Sequence, residues 1–121
     1  MNVICAQPHI FRPEPRLARI AVDGDLRLAE QADLILLPAT GSAIERNLAH
    51  NAALLPWLAQ RPPAQQLASL CSSAFLLAAS GLLDGRRATT HWRYTDALKA
   101  QFGGIEVLPD VLYVDGGFKM G

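Results

Sequence analysis

Two stretches decide the fold: Ala32-Asp33-Leu34-Ile35-Leu36-Leu37-Pro38 and, further along, Leu67-Ala68-Ser69-Leu70-Cys71-Ser72-Ser73. The run Leu34-Ile35-Leu36-Leu37 is apolar on both alternating faces, as in a strand buried within a parallel sheet, and Pro38 stops it. Residues 67–70 make a second short strand. Between the two, Ser42 and Glu45 fit the S-x-x-E capping box, in which each side chain satisfies a free amide of the first helical turn. Ile44, Leu48, Ala52, Leu55 and Ala59 follow at helical spacing and give one apolar face. Pro56 sits inside that pattern and is expected to kink or restart the helix, and Arg61-Pro62-Pro63 ends it. Residues 33–70 therefore read as one βαβ unit with a right-handed crossover. Strands joined in this way end at the same sheet edge. The 38–42 loop and the turn at Cys71 then lie side by side, where open α/β sheets place their sites.

Outward from this unit the alternation continues. Residues 72–80 are apolar nearly all round, which suits a helix buried on several sides. Ser72 or Ser73 is placed to cap its start, and Gly81 suits the left-handed position after its end. Asp84-Gly85 is a turn signal. Residues 92–102 read as an amphipathic helix closed by Gly103-Gly104. Residues 105–108 and 111–114 are short strands around Pro109-Asp110. Towards the N-terminus, residues 18–22 make a short strand that ends in Asp23-Gly24, and the Pro- and Arg-rich residues 7–16 read as a loop. No strand is expected before residue 18. The order is that of an α/β fold.

The 121 residues allow one domain. Half are apolar and only 18% are charged, which excludes a disordered chain. Lys plus Arg and Asp plus Glu balance at 11 each, so the bulk basic excess that drives non-specific nucleic-acid binding is missing. No helix-turn-helix region is legible either, and no nucleic acid is expected to bind through this chain alone. Two cysteines, Cys5 and Cys71, are too few for a disulfide scaffold or a four-ligand zinc site. No His, Cys or carboxylate pair stands at a metal-ligand spacing, so no metal is expected. No phosphate loop or G-x-G-x-x-G is present, so no cofactor is expected. The apolar runs fall far short of a bilayer span, and residues 1–20 lack a signal-peptide core. These features point to a cytoplasmic protein with reduced thiols and no membrane partner.

Cys71 lies between a short apolar strand and a buried helix, the context of a nucleophile elbow. A thiol at a helix start feels the positive end of the helix dipole, which favours thiolate. The amide of Ser72 and one from the 38–42 loop are placed to bind a developing oxyanion. By pattern alone, a cysteine at a strand end is more often a small buried hydrophobe. His91, in Thr89-Thr90-His91-Trp92, is the candidate partner of Cys71, or else a structural histidine at the sheet edge. His9 and His50 lack such context, and His50 falls on the polar side of its helix. Arg86-Arg87 reads as a solvated basic pair after a turn.

The stretch from Leu67 to Trp92 resembles the PfpI-type, class I glutamine-amidotransferase-like superfamily. Cys71, the block Gly81-Leu82-Leu83-Asp84-Gly85-Arg86-Arg87-Ala88-Thr89-Thr90-His91-Trp92 and the Cys71-to-His91 spacing carry the resemblance. Ala32-Asp33-Leu34-Ile35-Leu36-Leu37-Pro38 upstream and Val111-Leu112-Tyr113-Val114-Asp115-Gly116 downstream extend it to roughly residues 18–117. Within the superfamily the chain is most similar to the sensing domain of AraC-type (GlxA-like) transcription regulators. Isonitrile hydratases are the nearest enzymes.

The resemblance implies a flavodoxin-like three-layer α/β sandwich with a mostly parallel sheet. Residues 1–121 would form a single partial domain, incomplete at both ends, that begins near the superfamily's second strand. It implies a homo-oligomer, and a pocket for a small molecule such as an amino acid or amine derivative. Thr40, Gly41, Cys71, Ser72 and His91 would line that pocket, with Cys71 and His91 as its catalytic pair if any chemistry survives. Pro38-Ala39-Thr40-Gly41 stands where the family has P-G-G, and Ser73 stands where it has Gly. The regulator-like stretches Asp96-Ala97-Leu98-Lys99-Ala100-Gln101-Phe102 and Val111-Leu112-Tyr113-Val114-Asp115-Gly116 favour a ligand-sensing domain without its DNA-binding part, and the departures weaken an enzyme reading further. The alternatives are a cysteine-dependent hydratase or hydrolase of the isonitrile hydratase or amidase type, and a remnant without function.

Overall fold

The protein is described by a computed structural model, which covers residues 3–6 as backbone and residues 23–116 in full. The 7–16 loop and the 18–22 strand expected from the sequence lie outside the described residues. Along the chain run β1 (Val3–Ala6), α1 (Leu26–Ala29), β2 (Leu34–Leu37), α2 (Ile44–His50), α3 (Leu54–Ala59), β3 (Gln66–Leu70), a 3₁₀ turn (Cys71–Ser73) and α4 (Ala74–Ala79). Then follow β4 (Arg87–Ala88), a second 3₁₀ turn (Trp92–Tyr94), α5 (Thr95–Gln101), β5 (Glu106–Val107) and β6 (Tyr113–Asp115).

Four strands form one sheet in the order β2-β3-β1-β6, and β4 pairs with β5 in a small parallel ribbon. β2 and β3 are adjacent and parallel, with Leu34 opposite Gln66 and Leu37 opposite Ser69, and helices α2 and α3 lie between them in sequence. This is the βαβ unit expected from residues 33–70. β1 is not expected from the sequence. Val3-Ile4-Cys5-Ala6 is too short to show a period, and its strand state comes from neighbours far away in sequence. It pairs parallel with β3 on one side and antiparallel with β6 on the other.

The crossover helix departs from expectation at both of its signals. The capping box does not form: Ala43 is the N-cap of α2, and no side chain caps it. The apolar stripe is also interrupted, because the helix stops at His50 and restarts at Leu54. Pro56 then falls in the first turn of α3, where its missing N–H leaves no bond unmade. His50 is exposed, as its place in the stripe implies.

One face of the sheet carries the core. Ile35 and Leu37 of β2 and Leu67 of β3 join Leu58 of α3, the whole apolar run Ala74 to Ala78 of α4, and Leu98 of α5 in one buried cluster. Phe75 meets Phe102 edge-on, with ring centroids 6.4 Å apart. The alternate residues of β2, Leu34 and Leu36, are half-exposed at 50% and 53%. α4 is thus buried on several sides, as its composition demands, and it ends as expected. Gly81 has φ +86°, the Leu82 N–H bonds the Leu77 carbonyl, and the Gly81 N–H bonds the Ala78 carbonyl. That pair of bonds is a Schellman motif, and only glycine enters it without strain.

Arg86 corrects the reading of Arg86-Arg87 as a solvated pair. Arg87 is exposed, but Arg86 is buried and its guanidinium donates to the Gly116 carbonyl at 2.8 Å. α5 begins at Thr95, because residues 92–94 take the tighter 3₁₀ turn. The two C-terminal strands are shorter than, or shifted from, the expected 105–108 and 111–114.

Candidate functional site

The carboxyl ends of β2 and β3 open side by side, and the site is built there. Leu70 is extended at φ −111°, ψ 132°, while Ala74 is already helical. The reversal happens at Cys71, whose φ is +57°. Among the described residues it is the sole non-glycine with positive φ. An L-residue in this region costs about 1 kcal/mol or more, so the surroundings must hold it there.

Three hydroxyls do so. The Thr90 hydroxyl donates to the Cys71 carbonyl at 2.8 Å. The Ser73 hydroxyl accepts from the Leu70 N–H at 2.9 Å and lies 2.8 Å from both the Leu37 and the Leu70 carbonyls. Its single proton therefore bridges β2 and β3, a link that a glycine at this position has no atom to make. The Ser72 hydroxyl accepts from the Thr40 N–H at 3.1 Å and meets the Thr40 hydroxyl at 3.1 Å. Ser72, Ser73 and Thr90 are all buried. Neither serine caps α4 in the expected way, because both side chains hold neighbouring backbone instead.

The 38–42 loop is fixed from its other side as well. The Asn47 side-chain amide of α2 donates to the Thr40 carbonyl, and Gly41 turns the chain at φ +89°. Thr40 and Ser72 are thus brought together, but they bond each other and are not among the residues that line the pocket.

A pocket of about 260 Å³ lies over the turn, lined by Gly41, Ser42, Cys71, His91, Arg93 and Tyr94. Of the five site residues expected from the sequence, Gly41, Cys71 and His91 meet here. The Cys71 thiol is free and half-buried. The Nδ1 atom of His91 accepts the Arg93 N–H at 3.0 Å, which places the proton of a neutral ring on Nε2. The ring lies between Trp92 and Tyr94, at centroid distances of 5.2 and 5.4 Å. Among the described residues no hydrogen bond joins the Cys71 thiol to His91.

Sequence reasoning missed Ser42, Arg93 and Tyr94 as pocket residues. Ser42 was expected to act as a helix cap, and Arg93 and Tyr94 as turns of an amphipathic helix. The signal available for the last two was their place directly after His91. Among the described residues no cluster of His, Cys, Asp or Glu could hold a metal, and no helix is long and apolar enough to cross a membrane.

A mostly parallel sheet, a sharp strand-to-helix turn at a cysteine and a histidine in the same pocket define a recognisable class. The DJ-1/PfpI family model matches residues 15–117, and the chain belongs to that family, whose fold is the flavodoxin-like α/β sandwich. The chain is 33% identical over 95 residues, 78% of its length, to the HTH-type transcriptional regulator CdhR of Pseudomonas aeruginosa. It is 40% identical over 67 residues, 51% of its length, to the isonitrile hydratase of Pseudomonas putida. A third relative, the HTH-type transcriptional regulator GlxA of Rhizobium meliloti, is 40% identical over 52 residues, 43% of the chain. These matches span 27%, 29% and 16% of the three relatives' own lengths. No solved structure matches. The relatives thus include both an enzyme and regulators of transcription.

Proposed function

We propose that the chain carries a PfpI-like domain that binds a small molecule over Cys71, in the manner of the sensing domains of AraC-type regulators, and performs no cysteine chemistry. One observation carries this reading: two of the groups that turnover would need, a loop amide and one nitrogen of the histidine, are already engaged. The Thr40 amide, a natural donor to an oxyanion, bonds Ser72. The Nδ1 atom of His91 bonds the backbone of Arg93, so the neutral ring offers a proton donor to the pocket rather than a base. A cysteine enzyme needs a thiolate, a proton shuttle and a placed oxyanion hole.

The second reading is a cysteine-dependent hydratase or hydrolase, favoured by the φ of +57° at Cys71, which matches the strained backbone of a nucleophile elbow. The two separate in one experiment. Isonitrile hydration is assayed with the purified chain and with Cys71→Ser, and small molecules are screened for protection of Cys71 against iodoacetamide. The expected result is no turnover above the variant, together with protection by at least one ligand. Turnover that disappears in Cys71→Ser would establish the enzyme reading instead.

A further inference from the structure

Resting on that small-molecule reading of the pocket, we infer that its ligand is a small organic carboxylate and that Arg93 is the residue that selects it. Of the six lining residues Arg93 carries the one permanent charge, and none is Asp or Glu. The backbone of Arg93 is pinned by its N–H bond to His91 Nδ1. Its guanidinium carbon lies 5.8 Å from the centre of the Trp92 ring, and among the described residues no carboxylate pairs with it. A guanidinium in this state presents a planar fork that matches the two oxygens of a carboxylate.

The other polar groups have the same bias. His91 offers Nε2–H, because its Nδ1 is taken. Among the described residues the hydroxyls of Ser42 and Tyr94 make no hydrogen bond, and both line the pocket. Donors therefore outnumber acceptors, and the only fixed charge is positive. A protonated amine entering here finds no counter-charge and loses its hydration. A carboxylate finds a cation and up to three neutral donors. An amino acid would therefore be held by its carboxylate, with its ammonium group unpaired. The pocket's ~260 Å³ falls below the ~300–1,000 Å³ of drug-sized sites, a size that a small acid of a few carbons fills.

Iodoacetate and iodoacetamide test this directly, since they differ little in size and by one charge. In each case the Cys71 thiolate displaces iodide from the methylene carbon: the S–C bond forms, the C–I bond breaks and iodide leaves. Peptide mass mapping reads the rate at Cys71, and the same ratio measured on the urea-unfolded chain removes intrinsic reactivity. At low salt the folded chain is expected to favour iodoacetate about three- to tenfold over that reference. The preference falls to the reference in Arg93→Gln and is partly kept in Arg93→Lys.

In a second arm that needs no variant, propionate protects Cys71 from iodoacetamide. Propylammonium and inorganic phosphate at equal ionic strength do not. A folded-chain ratio equal to the reference, or one unchanged in Arg93→Gln, overturns the carboxylate assignment. So does protection by propylammonium or by phosphate. If iodoacetamide still labels Cys71 and a neutral ligand protects it, the small-molecule reading survives that failure. If folded Cys71 reacts with neither reagent, both fall.

Discussion

The pocket has two walls of opposite make. On the Cys71 wall, in the layer behind the lining, every buried hydroxyl is tied to backbone: Thr90 to the Cys71 carbonyl, Ser73 to Leu37 and Leu70, and Ser72 to the Thr40 amide. On the facing wall, Ser42 and Arg93 are exposed and His91 and Tyr94 half-buried, and among the described residues the hydroxyls of Ser42 and Tyr94 make no hydrogen bond and the Arg93 guanidinium meets no carboxylate. The first wall sets where the thiol is. On the proposed reading, the second sets what the pocket accepts. A buried polar group that loses its partner costs stability, whereas an exposed one costs little. Change at the facing wall is therefore cheap for the fold and, on the proposed reading, decisive for the ligand.

The contrast breaks most visibly at Ser73. Ser73→Ala leaves the Leu70 N–H and the Leu37 carbonyl without their partner, and is expected to lower stability by about 2 kcal/mol in urea unfolding. A loss no larger than that of an exposed substitution would show that the two walls are not energetically different. A middle-sized effect is expected at Cys71, where two variants that both lack the thiol isolate the backbone. Cys71→Gly should be more stable than Cys71→Ala by about 1 kcal/mol, since glycine enters positive φ freely. Equal stabilities would mean that φ +57° stores no strain. The smallest effect is expected at the facing wall: Arg93→Gln should shift the unfolding free energy by less than about 0.5 kcal/mol. A large loss there would make Arg93 a structural residue and blur the distinction.

The same division governs what the sequence could reveal. The two strands at residues 33–37 and 67–70 were legible because each is a short apolar run that ends at a stop signal. Residues 72–80 were legible because a helix apolar all round has one place to go. Gly81 announced the end of α4, and the family resemblance, which the Cys71-to-His91 spacing helps to carry, implied that both approach one site. Val3–Ala6 was not legible, since four residues carry no period and its partners lie far away along the chain. Ser42 and Glu45 have the letters of a capping box, but tertiary placement of the loop started the helix at Ile44 instead. Arg86 looked solvated beside Arg87, and its burial depends on a carbonyl thirty positions away. The hydroxyl bridges of Ser72 and Ser73 escaped for the same reason. A serine's local habit is to cap a helix, and only the paired strands offer it something else.

The bridges that shape the Cys71 wall also carry a timetable. Ser73 reaches Leu37 across 36 positions, Ser72 reaches Thr40 across 32, and Thr90 reaches Cys71 across 19. None is a contact that a helix or a tight turn can form by itself. The first two wait until β2 has found β3, the third until the chain after β4 reaches the end of β3, and parallel pairing over such distances is among the slower events in a folding chain. During synthesis β2 emerges first, Cys71 next and Arg93 last, so the thiol spends that interval as an ordinary cysteine on an unfolded chain. Completion of the sheet, not formation of the helices, is the moment at which Cys71 acquires its pocket.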